Sequence, residues 1–536
     1  MNENLINYDK RLLNNFYKNK GFYNVAIESS FASYLGNDKF EVLYNISSGK
    51  KYYFNEFNLN LPIDYGLDNF NELNNIFSDL KGEKYSLNSI DKILKEIDKI
   101  VLNEQFEFLK SSVQEEIKDN LINLTFNIGE SEKFYVEKIN IFGNNVTREE
   151  VIRNNLLIDE GDAFNELLQA KTLNNLKALN FFSKVDSEII DVTDLNKKII
   201  NITVEEKPTG EVMAGAGVGT SGGTVAFGVS ENNFLGRGID FSSDISIGGE
   251  SLKGSISVNN PNYKGSNRSL NVSLESTVTD RLKDFGYESN KTGFSVGSGF
   301  EFYEDFYWNT GLSSYIEKLD TDSTASASIK KQDGSYFDTF FNQSFSYDKR
   351  NQKFKTSDGF ISRFTQNIPL ISESYTLKNA YDYKIYNQWL DENVFSFGFF
   401  AKTANSLSGK DVKLSDRLFL PSGKLRGFES GKVGPKDGAD YIGGNYVASI
   451  NLATTLPKIM PNLQNTNFSV FLDAANIWGI DYNSSLSDNS KIRSSFGIAV
   501  DFFTPIGPLN FSLSEPITKG SNDITESFRF NIGTTF

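Results

Sequence analysis

Phe528-Arg529-Phe530-Asn531-Ile532-Gly533-Thr534-Thr535-Phe536 closes the sequence, and the order of its residues decides what fold to expect. Successive side chains of an extended strand point to opposite faces. Phe528, Phe530, Ile532, Thr534 and Phe536 therefore share one face, and Arg529, Asn531, Gly533 and Thr535 share the other. The same rhythm runs back through the chain. Leu509, Phe511 and Leu513 alternate with Asn510, Ser512 and Ser514, and Phe496, Ile498, Val500 and Phe502 with Ser495, Gly497, Ala499 and Asp501. An apolar face backed by a small or polar one fits a wall with lipid outside and water inside. A soluble sandwich alternates as well, so strand count and punctuation must arbitrate. About sixteen strands can be placed between residues 211 and 536, joined alternately by short and longer connectors, as in bacterial outer-membrane barrels. An even number returns both ends of the barrel to one side.

No apolar run is long enough for a transmembrane helix, which needs about 18 such residues. Cysteine and histidine are both absent, which removes thiol nucleophiles, disulfides, imidazole bases and most zinc sites. No Gly-x-Ser-x-Gly elbow is evident in a strand-to-helix setting. We therefore expect neither an enzyme nor a metal or cofactor site. A net charge of −15 argues against a nucleic-acid partner, which would require clustered Lys and Arg.

Upstream of Lys207-Pro208-Thr209-Gly210 the period changes. Residues 131–208 read as strand, helix, helix, strand, strand: Tyr135, Ile139 and Ile141 in the opening strand, Leu167, Leu168 and Leu176 on the second helix, then Phe182–Ile189 and Ile199–Val204. The order recurs over 51–130, with Ile90, Ile93, Ile97 and Ile100 on the long helix and Leu121, Leu124 and Phe126 in the last strand. Residues 1–50 supply only the closing part of a further copy. The start, Met1 to Asp9, lacks the basic and apolar regions of a secretory signal, so the expectation is a chain shortened at its beginning. Residues 209–536 form the expected barrel.

The longest barrel connector, about Ala404 to Tyr441, contains Leu425-Arg426-Gly427-Phe428 and lies on the side opposite the termini. Strand parity over Asn467–Ala474 turns Asp473 toward the lumen. An arginine could meet that carboxylate with two parallel hydrogen bonds; the bland alternative is that each is solvated or partnered elsewhere.

These features resemble the BamA family of outer-membrane assembly factors. The α+β repeats resemble its POTRA domains, and Leu425-Arg426-Gly427-Phe428 its (V/L)RGF loop signature. Val433-Gly434-Pro435, Phe471-Leu472-Asp473, Gly507-Pro508-Leu509 and the final Phe536 follow in matching order. Asp348-Lys349-Arg350-Asn351 with Asp358-Gly359 is similar to a periplasmic turn of the wider superfamily, without its usual proline. The resemblance implies insertion of unfolded β-barrel proteins into the outer membrane, with accessory lipoproteins, the POTRA repeats in the periplasm, and no nucleotide. The stretch Gly427 to Val433 only superficially resembles a phosphate-binding loop: its spacing is one residue short and Val433 replaces Ser or Thr.

The resemblance also implies an Arg426–Asp473 latch, with Gly427 and Phe428 beside it. It further implies a lateral seam between the first strand, with Gly215, Gly217 and Gly219, and the last, with Asn531 and Gly533. An opened seam would expose backbone groups able to template an incoming strand. The alternative for the glycines is a flexible strand without special role. Phe528, Phe530, Ile532 and Phe536 form a C-terminal insertion signal on this reading, and lipid-facing apolar residues on the plainer one. Competing functions are secretion of one dedicated partner, autotransporter assembly, or a passive porin-like channel.

Overall fold

A computed structural model describes residues 3–36, 39–61, 70–103, 109–130, 134–192, 196–220, 222–353, 356–390, 393–456, 466–483, 485–486, 491–504 and 507–533. The chain divides into two units, Met1–Asn145 with Ile152–Lys207, and Val146–Val151 with Pro208–Phe536. No described helix is long and apolar enough to cross a membrane.

The first unit holds the repeats. In the middle one, Tyr53–Asn60 lies parallel to Leu121–Glu130, which pairs antiparallel with Leu109–Lys118. Helices Asn71–Leu80 and Leu87–Asn103 belong to the same repeat. Ile93 and Ile97 of the long helix join Phe54, Leu73, Tyr85, Ile122, Leu124 and Phe126 in one core. Leu121, which the sequence reading placed with Leu124 and Phe126, is exposed. Strand parity explains this, since 122, 124 and 126 fall on one face and 121 on the other.

The third repeat has the same topology, with Tyr135–Phe142 parallel to Lys197–Glu206 and Phe182–Val192 antiparallel to it. A register break between Val136 and Lys138 resets the alternation. Val136 and Ile139 are consequently buried while Tyr135 faces solvent. Asn165 caps the helix Glu166–Ala178 by accepting hydrogen bonds from the Leu167 and Leu168 amides. The first repeat contributes Glu3–Lys18 and the hairpin Ala26–Gly36 with Lys39–Ser47.

The second unit is a closed antiparallel barrel of 16 strands. It begins with Gly210–Gly219 and Gly222–Glu231, and ends with Arg493–Thr504, Gly507–Thr518 and Phe528–Gly533. The longest strands, Tyr287–Tyr303 and Phe306–Thr321, have 17 and 16 residues. The first strand, Gly210–Gly219, has 10 residues, and the last is described over Phe528–Gly533. Phe227, Phe294, Leu312, Phe496, Ile498 and Leu513 are all exposed on the outer face. Soluble proteins rarely display so many large apolar residues in contiguous rows; here they form the surface that meets lipid.

Candidate functional site

The connector joining Asn393–Ser406 to Tyr446–Thr455 packs against inward-facing residues of the barrel wall. Its Lys413, Leu414, Leu420, Leu425, Phe428, Val433, Tyr441 and Ile442 are buried. On the strand Thr466–Trp478, Phe471, Asp473, Ala475 and Ile477 are buried and Leu472 is exposed, so period-two parity carries Asp473 inward.

The structure brings Arg426 and Asp473 together. Arg426 Nε and Nη2 donate to Oδ2 and Oδ1 of Asp473, each at 2.7 Å, and the Arg426 amide donates to Oδ2 at 3.1 Å. Asn451 Nδ2 donates to the same carboxylate at 2.8 Å and to the Lys424 carbonyl at 2.9 Å. The guanidinium carbon lies 3.4 Å from the centroid of the Phe471 ring, so the cation is stacked as well as paired. The Ser495 hydroxyl donates to the Arg426 carbonyl at 2.5 Å. Gly427 has φ +86°, and a Cβ there would come within 3.1 Å of Ser495 Cβ. Phe428 fills an apolar cluster with Phe400, Leu420, Leu425, Val447 and Ile477.

A second anchor lies earlier in the connector, at residues the sequence reading did not single out. Lys413 Nζ sits 2.6 Å from Glu317 Oε2 and 2.7 Å from Asp338 Oδ2, all three buried. Lys378 reaches Asp416 at 2.6 Å, and Arg417 pairs with Asp481. Burial alone would raise the Asp416 carboxyl; Lys378 and Lys413 outweigh it and hold the pKa at about 2. Burial would lower the Lys413 ammonium, but Asp416, Glu317 and Asp338 raise it instead. The one sequence signal for this anchor was parity, which puts the charged Glu317 and Asp338 on lumen faces. Their partner on an aperiodic loop gives no such signal. Lys432, the lysine of the phosphate-loop likeness, is paired with Asp284.

At the barrel closure, Gly210–Gly219 meets the last strand through Asn531↔Gly219, Ile532↔Val218 and Gly533↔Gly217. On its other side the same strand is paired from Gly219↔Gly222 to Gly210↔Glu231. Gly215 pairs with Ala226 on that side, and the residues that follow Gly533 in the last strand lie outside the described residues. Val212 and Val218 are exposed on the outer face, which leaves Gly215, Gly217 and Gly219 on the lumen side. A Cβ at Gly219 would meet Asn531 Oδ1 at 2.4 Å and the Phe530 carbonyl at 2.8 Å. Phe528 is exposed and its ring stacks on Phe530, the centroids 6.1 Å apart. Ile532 is described through its backbone pairing; Phe536 lies outside the described residues. In the turn after Gly334–Asp348, Arg350 Nε and Nη2 hold Asp348 at 2.8 and 2.7 Å, a clip at the turn.

Fold and site together define an integral outer-membrane protein: a 16-stranded barrel with an inward-packed latch loop, following periplasmic POTRA repeats. The chain belongs to the Omp85 superfamily, whose domain model matches residues 233–536. The model of the POTRA repeat, described as a surface antigen variable number repeat, matches residues 134–207. Among curated proteins, the chain is 23% identical over 548 residues to the outer membrane protein assembly factor BamA of Neorickettsia risticii, covering 99% of this chain and 72% of that protein. It is also 23% identical to the protein of that name from Neisseria meningitidis, covering 100% of this chain and 73% of the relative. The crystal structure of Haemophilus ducreyi BamA lacking POTRA domains 1–3 has the same fold, with a TM-score of 0.69 at 24% identity over 90% of this chain and all of that one. CdiB from Acinetobacter baumannii is a more distant fold relative, with a TM-score of 0.50 at 13% identity over 99% of this chain and 98% of that one.

Proposed function

We propose that this protein folds and inserts β-barrel proteins into the outer membrane, without nucleotide and without enzymatic chemistry, through the seam between its first and last barrel strands. The observation that carries the reading is the make-up of the closure, where glycines 217 and 219 of the first strand, which pack no side chain, pair with the last strand. Asn531, Ile532 and Gly533 of the last strand pair with Gly219, Val218 and Gly217 of the first. Inside lipid a broken backbone hydrogen bond has no water to replace it. An edge freed at the seam therefore gains most by pairing with an incoming strand. Its relatives' shared name, outer membrane protein assembly factor, supports the same job.

The POTRA sheets supply further edges, at Leu109–Lys118 and Phe182–Val192, where client strands or accessory lipoproteins dock by strand addition. The porin reading fits less well, because the buried connector packs into the space a passive channel would need open.

The test is reconstitution of the full-length protein in liposomes, scoring how fast an unfolded outer-membrane barrel acquires its folded form. A Val218→Cys/Ile532→Cys pair would lock the seam by disulfide. The expected result is acceleration of client folding, loss on locking, and recovery with reductant. Unchanged folding rates with a locked seam would sink the proposal.

A further inference from the structure

Arg529 is a cation on the lumen face of a strand whose alternate residues are apolar, and it is buried. Its Nε and Nη2 donate to Glu526 Oε2 at 2.9 and 2.7 Å. Its remaining reach goes to the connector: Nη1 donates to the Ser422 carbonyl at 2.7 Å and Nη2 to the Phe428 carbonyl at 2.5 Å. Phe428 is the third residue of the Arg426-Gly427-Phe428 latch, so one guanidinium bridges the latch and the last barrel strand.

A backbone ladder runs beside this bridge. Phe428 and Thr525 form an antiparallel bridge. The Glu429 amide donates to the Ile524 carbonyl at 3.0 Å, the Ile524 amide to the Lys432 carbonyl at 3.0 Å, and the Glu526 amide to the Gly427 carbonyl at 3.1 Å. The connector is thus held at two places on the barrel wall, on strands separated by two others. Arg426 fixes it to the strand of Asp473, and Arg529 with this ladder fixes it to the strand that forms the seam.

We propose that Arg529 is a positioning residue that couples seating of the latch loop to closure of the seam. The guanidinium suits this role because its planar fork serves one carboxylate and two carbonyls at once, which a lysine's compact ammonium does not. When the loop leaves, Arg529 loses both carbonyls and the last strand loses its lumen-side support. When the strand moves, the loop loses the same bonds. Coupling of this kind is reciprocal, so loosening either partner loosens the other. The inference builds on the seam reading but is tested separately from it.

The chain has no cysteine, so labels can be placed without background. Val218 and Leu513 are exposed on the outer face, on strands flanking the last one. Nitroxides at Val218→Cys and Leu513→Cys would report seam width by electron–electron double resonance on the full protein in nanodiscs. Arg529→Gln is expected to raise the ratio of open to closed seam about tenfold, the scale of losing charge-assisted hydrogen bonds. Arg426→Ala should also raise it, and the double variant should add little to Arg529→Gln alone. Arg529→Lys should restore part of the closed population, and it serves as the test variant if the glutamine form does not fold, judged by heat-modifiable migration. An unchanged ratio in both Arg529 variants, or effects of Arg426→Ala and Arg529→Gln that multiply independently, would overturn the coupling. A widened seam that left client folding untouched would instead count against the function proposed above.

Discussion

At the residue scale, the latch depends on shape as much as on charge. Asp473 is fully buried, so removing its cation by Arg426→Ala leaves a carboxylate with only the Asn451 amide and the backbone amide of residue 426, a loss of about 3–5 kcal/mol in loop seating. Arg426→Lys keeps the charge but neither the paired donors nor the stacking on Phe471, and should recover less than half of that loss. Trypsin cleavage within the connector measures both, with the lysine variant intermediate. Lysine performing as well as arginine would mean that charge alone holds the loop. Asp473 was legible in the sequence because strand parity is strict. Arg529 was visible only as a charge in a lumen position, since its partners lie on a loop and a loop has no period. Gly219 makes a separate prediction. Gly219→Val would drive its Cβ into the Phe530 carbonyl and Asn531, so the closure should widen and Val218→Cys/Ile532→Cys cross-linking should fall by about tenfold. Normal cross-linking would show that the last strand can yield there.

At the element scale, two of the electrostatic anchors of the connector differ in kind. One is an arginine–aspartate fork; the other is a cluster in which Lys413 offsets two buried carboxylates, Glu317 and Asp338. Replacing Lys413 by Met would leave those two like charges buried together, and should free this arm of the loop even with Arg426 intact. The cluster also sets a pH limit. Aspartate in an unfolded chain titrates near ~3.9, and Asp416 in the seated loop at about 2. A depressed carboxyl stabilises the folded form above its unfolded pKa, and that stabilisation is lost as pH falls through the folded value. The connector should therefore resist pepsin at about pH 4 and become cleavable as pH approaches 2. Equal cleavage at both would show that Asp416 does not hold the loop. The repeats show the converse limit of sequence reading. Helix periodicity located Ile93 and Ile97 in the core, but the register break at Val136 left Tyr135 exposed against simple alternation.

At the scale of the whole molecule, the barrel was legible because lipid and lumen impose opposite demands on neighbouring residues over some three hundred positions, so the period repeats often enough to be counted. What fills the barrel was legible only at the Arg426–Asp473 latch, and the rest of the loop's path was not, because it follows from pairing among residues far apart in sequence. That filling separates an assembly machine from a pore. A 16-stranded barrel of porin type leaves an aqueous channel. Here the connector buries Leu420, Leu425, Phe428 and Val433 against inward-facing residues of the wall, and ion pairs that include Arg426–Asp473 and the Lys413 cluster hold it there. The intact protein in a planar bilayer should accordingly conduct far less than a porin of equal strand number. Deleting residues 410–442 should raise conductance several-fold, toward the porin value. Arg426→Ala should give brief openings between those limits, because it frees one anchor and leaves the Lys413 cluster in place. A large steady conductance in the unaltered protein would mean that the loop does not occupy the lumen in the membrane, and would return the passive channel to consideration.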